Sequence, residues 1–165
     1  MDDAGADRDP LGLIAGGEGL ITGTVVCAAV IAYAAGTVDS TPQLCVAIFG
    51  TVFVYWLAHL HAVTVGLSVE HRHHPLVALR LAFVRTWLVA GASVLPIAVL
   101  LLAELFGAQL LTAAWVALVA TIVLLTAYSY LAGVRSGLGL GGRLVSAAMG
   151  AGLGLLVALL KVLLH

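Results

Sequence analysis

Five times along the chain, a stretch of about twenty residues passes with at most one Asp, Glu, Lys or Arg in it. That is the length a helix needs to cross the hydrocarbon of a bilayer, where lipid offers no partner to an unpaired backbone N–H or C=O. A water-soluble domain carries about a quarter charged residues. Here 9% are charged against 62% hydrophobic, too little polar surface to face water. A membrane β-barrel would need segments of about ten residues that alternate in polarity, and the chain has none. The expected fold is all-α: a polytopic membrane bundle of five transmembrane helices, at about 11–35, 44–69, 75–106, 110–132 and 144–164.

Residues 1–10, MDDAGADRDP, read as an acidic flexible tail, and 11–165 as a single transmembrane domain. The tail is acidic where a signal peptide would be basic, so no cleaved leader is expected. A net charge of −1 gives no reason to expect nucleic acid. The expected partners are the lipid bilayer and either a second copy or a larger membrane complex. Cys27 and Cys45 fall inside apolar runs and read as small buried residues.

Five crossings put the termini on opposite sides, and the basic residues choose the orientation. Arg8 lies in the tail, Arg72, Arg80 and Arg85 in the second connection, and Arg135 and Arg143 in the fourth. The first and third connections hold no Lys or Arg, which leaves Lys161 alone on the other side. The N-terminus is expected in the cytoplasm and the C-terminus outside, in the cytoplasmic membrane. At the outer end, Glu104 and Lys161 reach similar depth. Either they form an ion pair, or Lys161 snorkels to the interface.

Lipid tails are as apolar as leucine, so helices associate through small residues that let backbones approach. The first span carries such ridges, Ala15, Gly19, Gly23 and Cys27 on one and Ala28, Ala32 and Gly36 on the other, and is expected inside the bundle. The last span carries Ser146, Gly150, Gly154 and Ala158, facing either the first span or its own counterpart in a second subunit. In the third, Pro96 predicts a kink, with Ser93 placed to satisfy a freed carbonyl. Gly133 to Arg143 reads as a glycine-rich loop. Glu18 is either an interfacial carboxylate or a buried acid.

Ionisable chemistry concentrates in the second span. His59 and His61 lie a few residues past its centre. At 100° per residue, Tyr55, His59, Ala62, Gly66 and Glu70 share one face, and His61, Thr64 and Ser68 the opposite one. Two partly polar faces predict a half-helix surrounded by protein or water. Its histidines are either neutral packing residues or a proton or cation route through His59, His61, Glu70 and Tyr55. Beyond them, Glu70, His71, His73 and His74 form a denser cluster. His71, His73 and His74 suit a transition-metal ion if the helix continues, and a solvated loop if Pro75 ends it. No cofactor beyond such an ion is expected. No serine–histidine–acid set or paired carboxylates occur, so no enzyme is expected.

The run VYWLAHLHAVTVG, the small-residue first span and the terminal GLLVALLKVLLH resemble a group of small integral membrane proteins of actinobacteria. In that group a tryptophan–leucine–alanine–histidine run sits in the second span and a lysine lies close to a C-terminal histidine. The matching positions are Trp56, Leu57, Ala58, His59, Lys161 and His165. The resemblance implies the five-helix membrane fold and carries no activity with it. The function expected from the residues is a small proton or metal-cation channel or transporter. The alternative is a non-catalytic membrane scaffold or accessory subunit.

Overall fold

The computed structural model describes residues 13–71 and 75–164, and side chains over 19–69 and 76–163. Among the described residues six helices run in order: α1 (Leu13–Ala34), α2 (Thr41–His71), α3 (Pro75–Gly91), α4 (Val94–Leu105), α5 (Leu110–Arg135) and α6 (Leu140–Leu164). No strand occurs among the described residues. α3 and α4 are two halves of one span, Leu76–Leu105, so the bundle has five helical members. Four of them are long and apolar enough to cross a membrane, the pattern of a multi-pass membrane protein. The fifth, α1, has 22 residues, of which Gly19–Ala34 form a shorter apolar stretch.

Small residues share the interior with a set of large aliphatic ones, and most of the large apolar residues cover the outside. Ala28, Ala78, Ala82, Ala113, Ala114 and Ala117 are essentially inaccessible, whereas Phe106 is 87% and Leu105 79% exposed. Water would penalise such a surface; lipid does not. α1 is the hub, packing on α2, α3, α5 and α6. A Cβ on Gly19 would come within 2.7 Å of Val89 Cγ2, and one on Gly23 within 2.8 Å of the Val89 carbonyl oxygen. Only glycine permits that approach.

The ridge on α6 meets α5, which neither of the two expected partners anticipates. A Cβ on Gly150 would come within 2.8 Å of the Leu125 carbonyl oxygen, and one on Gly154 within 2.9 Å of Ile122 Cγ1. Ala158 packs beside this contact on the core that α1 shares, so α6 touches α1 as well. The reason is connectivity. A short turn makes α5 and α6 antiparallel neighbours, and Gly133 lets the Arg143 Cα approach within 3.2 Å of where its Cβ would stand.

The stretch Gly133 to Arg143 is mostly helix, with a turn at 136–139. Gly137 takes a φ of 70°, and Leu138 N–H reaches back to the Gly133 carbonyl at 3.2 Å. Gly107 (φ 84°) closes α4 with the same six-to-one bond, Ala108 N–H to the Ala103 carbonyl at 3.0 Å. Both are glycine-terminated helix ends. Gly133, Gly141 and Gly142 lie in helix on either side of the turn.

The kink falls at Ala92–Ser93, one turn before Pro96. Pro96 has no N–H for the Ala92 carbonyl, and its ring crowds that carbonyl. Ala92 N–H bonds Val89 instead at 3.2 Å, and the Ser93 hydroxyl donates to the Ala90 carbonyl at 3.1 Å. Gly23 of α1 packs on this break.

Substitution of Gly150 by Ala is expected to lower stability by about 1–3 kcal/mol through overpacking. Gly152→Ala, whose added methyl meets nothing within 4 Å, should leave the unfolding midpoint in detergent unchanged or higher. Equal midpoints for the two variants would mean that α5 and α6 do not meet along this ridge.

Candidate functional site

The second span is α2, and its described half-helix is less enclosed than two polar faces led us to expect. It packs chiefly on α3 and α1 through Leu44, Ile48, Val52 and Leu67. His59 is half-buried at the edge of that packing. Its ring stacks on Tyr55 one turn earlier, with centroids 6.2 Å apart and planes 10° apart. No hydrogen bond reaches either imidazole nitrogen among the described residues.

His61 is exposed on the outer face of α2, beside Leu57, Ala58, Ala62 and Val65, all exposed. His59 and His61 therefore do not line one route inside this chain. The neighbouring hydroxyls give no sign of water either. Thr64 Oγ1 donates to the Leu60 carbonyl at 2.7 Å and Ser68 Oγ to the Thr64 carbonyl at 2.9 Å. A hydroxyl folded onto its own helix is satisfied without solvent, so polar residue types on both faces did not require a wet environment.

Glu70 and His71 belong to α2 by their backbone, but their side chains, with His73 and His74, lie outside the described residues, as do the side chain of Glu18 and the tail. Among the described residues, no group of three or more His, Cys, Asp or Glu side chains is arranged to hold a metal ion.

The polar contact that joins α2 to its neighbour is carried by an aromatic residue. Trp56 Nε1 donates to Thr86 Oγ1 at 3.2 Å, and that buried hydroxyl donates in turn to the Ala82 carbonyl at 2.9 Å. Phe83 meets the indole edge-on with centroids 5.5 Å apart, and Phe53 lies tilted against it at 5.6 Å. Phe49, Val52, Phe53, Trp56, Ala90 and Ser93 enclose an apolar groove of about 200 Å³ at the α3–α4 break. The central placement of Trp56, away from either interface, was the sequence signal for this role.

Lys161 is neither of the two things expected of it. It is only 4% exposed, so it does not snorkel, and its Nζ has no hydrogen-bond partner among the described residues. The Nζ lies 4.8 Å from the centroid of Trp115 on α5. Glu104, exposed on α4, does not reach it, because α4 packs on α5 and α2 rather than on α6. A cation over an indole face is attracted by the ring quadrupole, yet burial without a hydrogen bond opposes that gain.

No family model, curated protein or solved structure matches the chain. The integral membrane character therefore rests on the apolar helices and their surface.

Replacing Lys161 by Met keeps the stem's packing and removes an unsatisfied amine, so it should raise stability by about 1 kcal/mol. The unfolding midpoint in detergent checks this. A lowered midpoint would mean that the amine has a partner beyond the described residues.

Proposed function

We propose that this is a multi-pass protein of the cytoplasmic membrane, N-terminus inside and C-terminus outside, serving as a non-catalytic scaffold or accessory subunit. The orientation is supported by Arg8, Arg72, Arg80, Arg85, Arg135 and Arg143, which all fall on one side of a five-span bundle. One observation carries the scaffold reading: His61 points outward from an apolar helix face. An imidazole against acyl chains has no hydrogen-bond partner, and a docked neighbour supplies one. Ala58 and Ala62 beside it let a second backbone come close. A second copy of this chain suits the face best, since a two-fold axis sets the same small residues and imidazoles against each other.

One observation favours a second reading, a proton or metal-cation channel or transporter. Both nitrogens of His59 are unengaged among the described residues, one turn from Tyr55. Once α2 is covered, His59, His61, Glu70 and Tyr55 would line a route between chains rather than through one, with His71, His73 and His74 at its cytoplasmic mouth.

Terminal reporter fusions test the orientation: an N-terminal tag should be protected outside the cell and a C-terminal one accessible. Both ends in one compartment would remove the five-span reading.

Oxidation of an Ala58→Cys variant, with Cys27 and Cys45 replaced by Ala, is expected to give a disulfide-linked dimer in membranes. The same yield from Leu156→Cys on α6 would count against a specific α2 interface. Proton or metal flux in proteoliposomes, lost in His59→Ala, would favour the second reading, and none above empty liposomes would retire it.

A further inference from the structure

The outer face of α3 carries a groove of about 500 Å³ lined by Leu76, Val77, Arg80, Leu81, Val84 and Arg85. All six are exposed. Neither guanidinium has a hydrogen bond or ion pair among the described residues. The other two described arginines near this end of the bundle are placed differently. Arg143 Nε donates to the Leu138 carbonyl at 2.8 Å, and Arg135 sits in the last turn of α5, where the helix dipole favours a cation. Arg80 lies in the N-terminal half of α3, where the dipole offers it nothing.

Depth settles what surrounds these two side chains. The span Leu76–Leu105 has 30 residues, about 45 Å of helix at ~1.5 Å per residue, against a hydrocarbon core of about 30 Å. The surplus is about ten residues, and Glu104 marks the far end of the span. The stretch from Thr86 onward fills the core, which leaves Arg80 and Arg85 at headgroup level. Between them on the helix, at the same level, Leu81 and Val84 form the apolar wall of the groove.

We propose that this groove binds the headgroup end of one anionic phospholipid, its phosphodiester held by Arg80 and Arg85 and its glycerol–ester region against Leu81 and Val84. Guanidinium forks match phosphate oxygens in pairs, and the apolar walls match the glycerol–ester region that a free phosphate lacks. The site rests on the membrane reading of the fold but not on the α2 interface, which involves other residues.

The test is native mass spectrometry of the full chain released from nanodiscs of mixed phosphatidylglycerol and phosphatidylcholine. The wild type should retain phosphatidylglycerol preferentially. Arg80→Gln with Arg85→Gln should weaken that retention roughly 10- to 30-fold, while Arg135→Gln with Arg143→Gln, which changes net charge equally, should not. Val84→Trp, which fills the groove and leaves the charges, should weaken it too, and Arg80→Lys with Arg85→Lys should keep most of it. Circular dichroism checks that each variant is folded. Undiminished retention in the double glutamine variant overturns the site. Displacement by millimolar inorganic phosphate would mean that a free anion is bound instead. Retention that appears only after residues 1–9 are removed would mean that the acidic tail is the occupant.

Discussion

Close approach of helix backbones is what the rest of this structure depends on. In lipid, burying a leucine between helices gains little over leaving it among acyl chains, so association rests on dispersion contacts and interhelical hydrogen bonds. Dispersion falls off steeply with separation, which puts a premium on residues without side chains at crossing points. Gly19 and Gly23 seat α1 on the end of α3, and Gly150 and Gly154 seat α6 on α5. Because those crossings are tight, alanines and threonines share the interior with Ile31, Leu44, Ile48, Leu100, Leu118 and Leu125, and most other leucines and valines are left for the outside. The small residues at the crossings follow from the contact distance.

A second constraint acts on every polar group the spans contain: it must find a partner inside the bundle. Thr24, Thr64, Thr121 and Thr126 each donate to the carbonyl four residues earlier, at 2.6–2.8 Å. Ser93 does comparable work at the break that Pro96 makes. Trp56 and Thr86 share one bond between helices. Once these are set aside, the basic and imidazole side chains without a hydrogen bond among the described residues include His59, His61, Lys161, Arg80 and Arg85. Function is more reasonably sought in that remainder than in the longer list of polar residue types in the sequence.

The helical membrane architecture was legible because length and apolarity alone decide it, and the break near Pro96 because proline chemistry is local. The spacing of Gly150 and Gly154 was equally visible, but the helix they meet was not, since a ridge does not name its partner. Gly133 to Arg143 was misread because glycine's weak helix propensity in water says little where the backbone has no solvent to turn to. Periodicity told that His59 and His61 lie on different faces of α2. It could not tell which face looks inward, because small residues and polar residues occur on both. Lys161 and Trp115 are 46 residues apart (161 minus 115) on helices whose rotation only packing defines.

The contrast between α2 and α6 argues that an exposed face here is not simply a lipid face. Both helices are little enclosed by the rest of the bundle. The open side of α6 presents Leu153, Leu156, Leu160 and Leu163, large and apolar, which is what acyl chains accommodate without cost. The open side of α2 sets Ala58, Ala62 and Gly66 around His61, among Val54, Leu57 and Val65. Small residues facing lipid forgo the dispersion contact that a bulky chain would make, and an imidazole there forgoes its hydrogen bonds. Both deficits are met by one event, the arrival of another helix, and neither is met by lipid. A face that is poor for lipid in two independent ways, on a helix that has room for a neighbour, is the physical support for the proposed interface with a second chain.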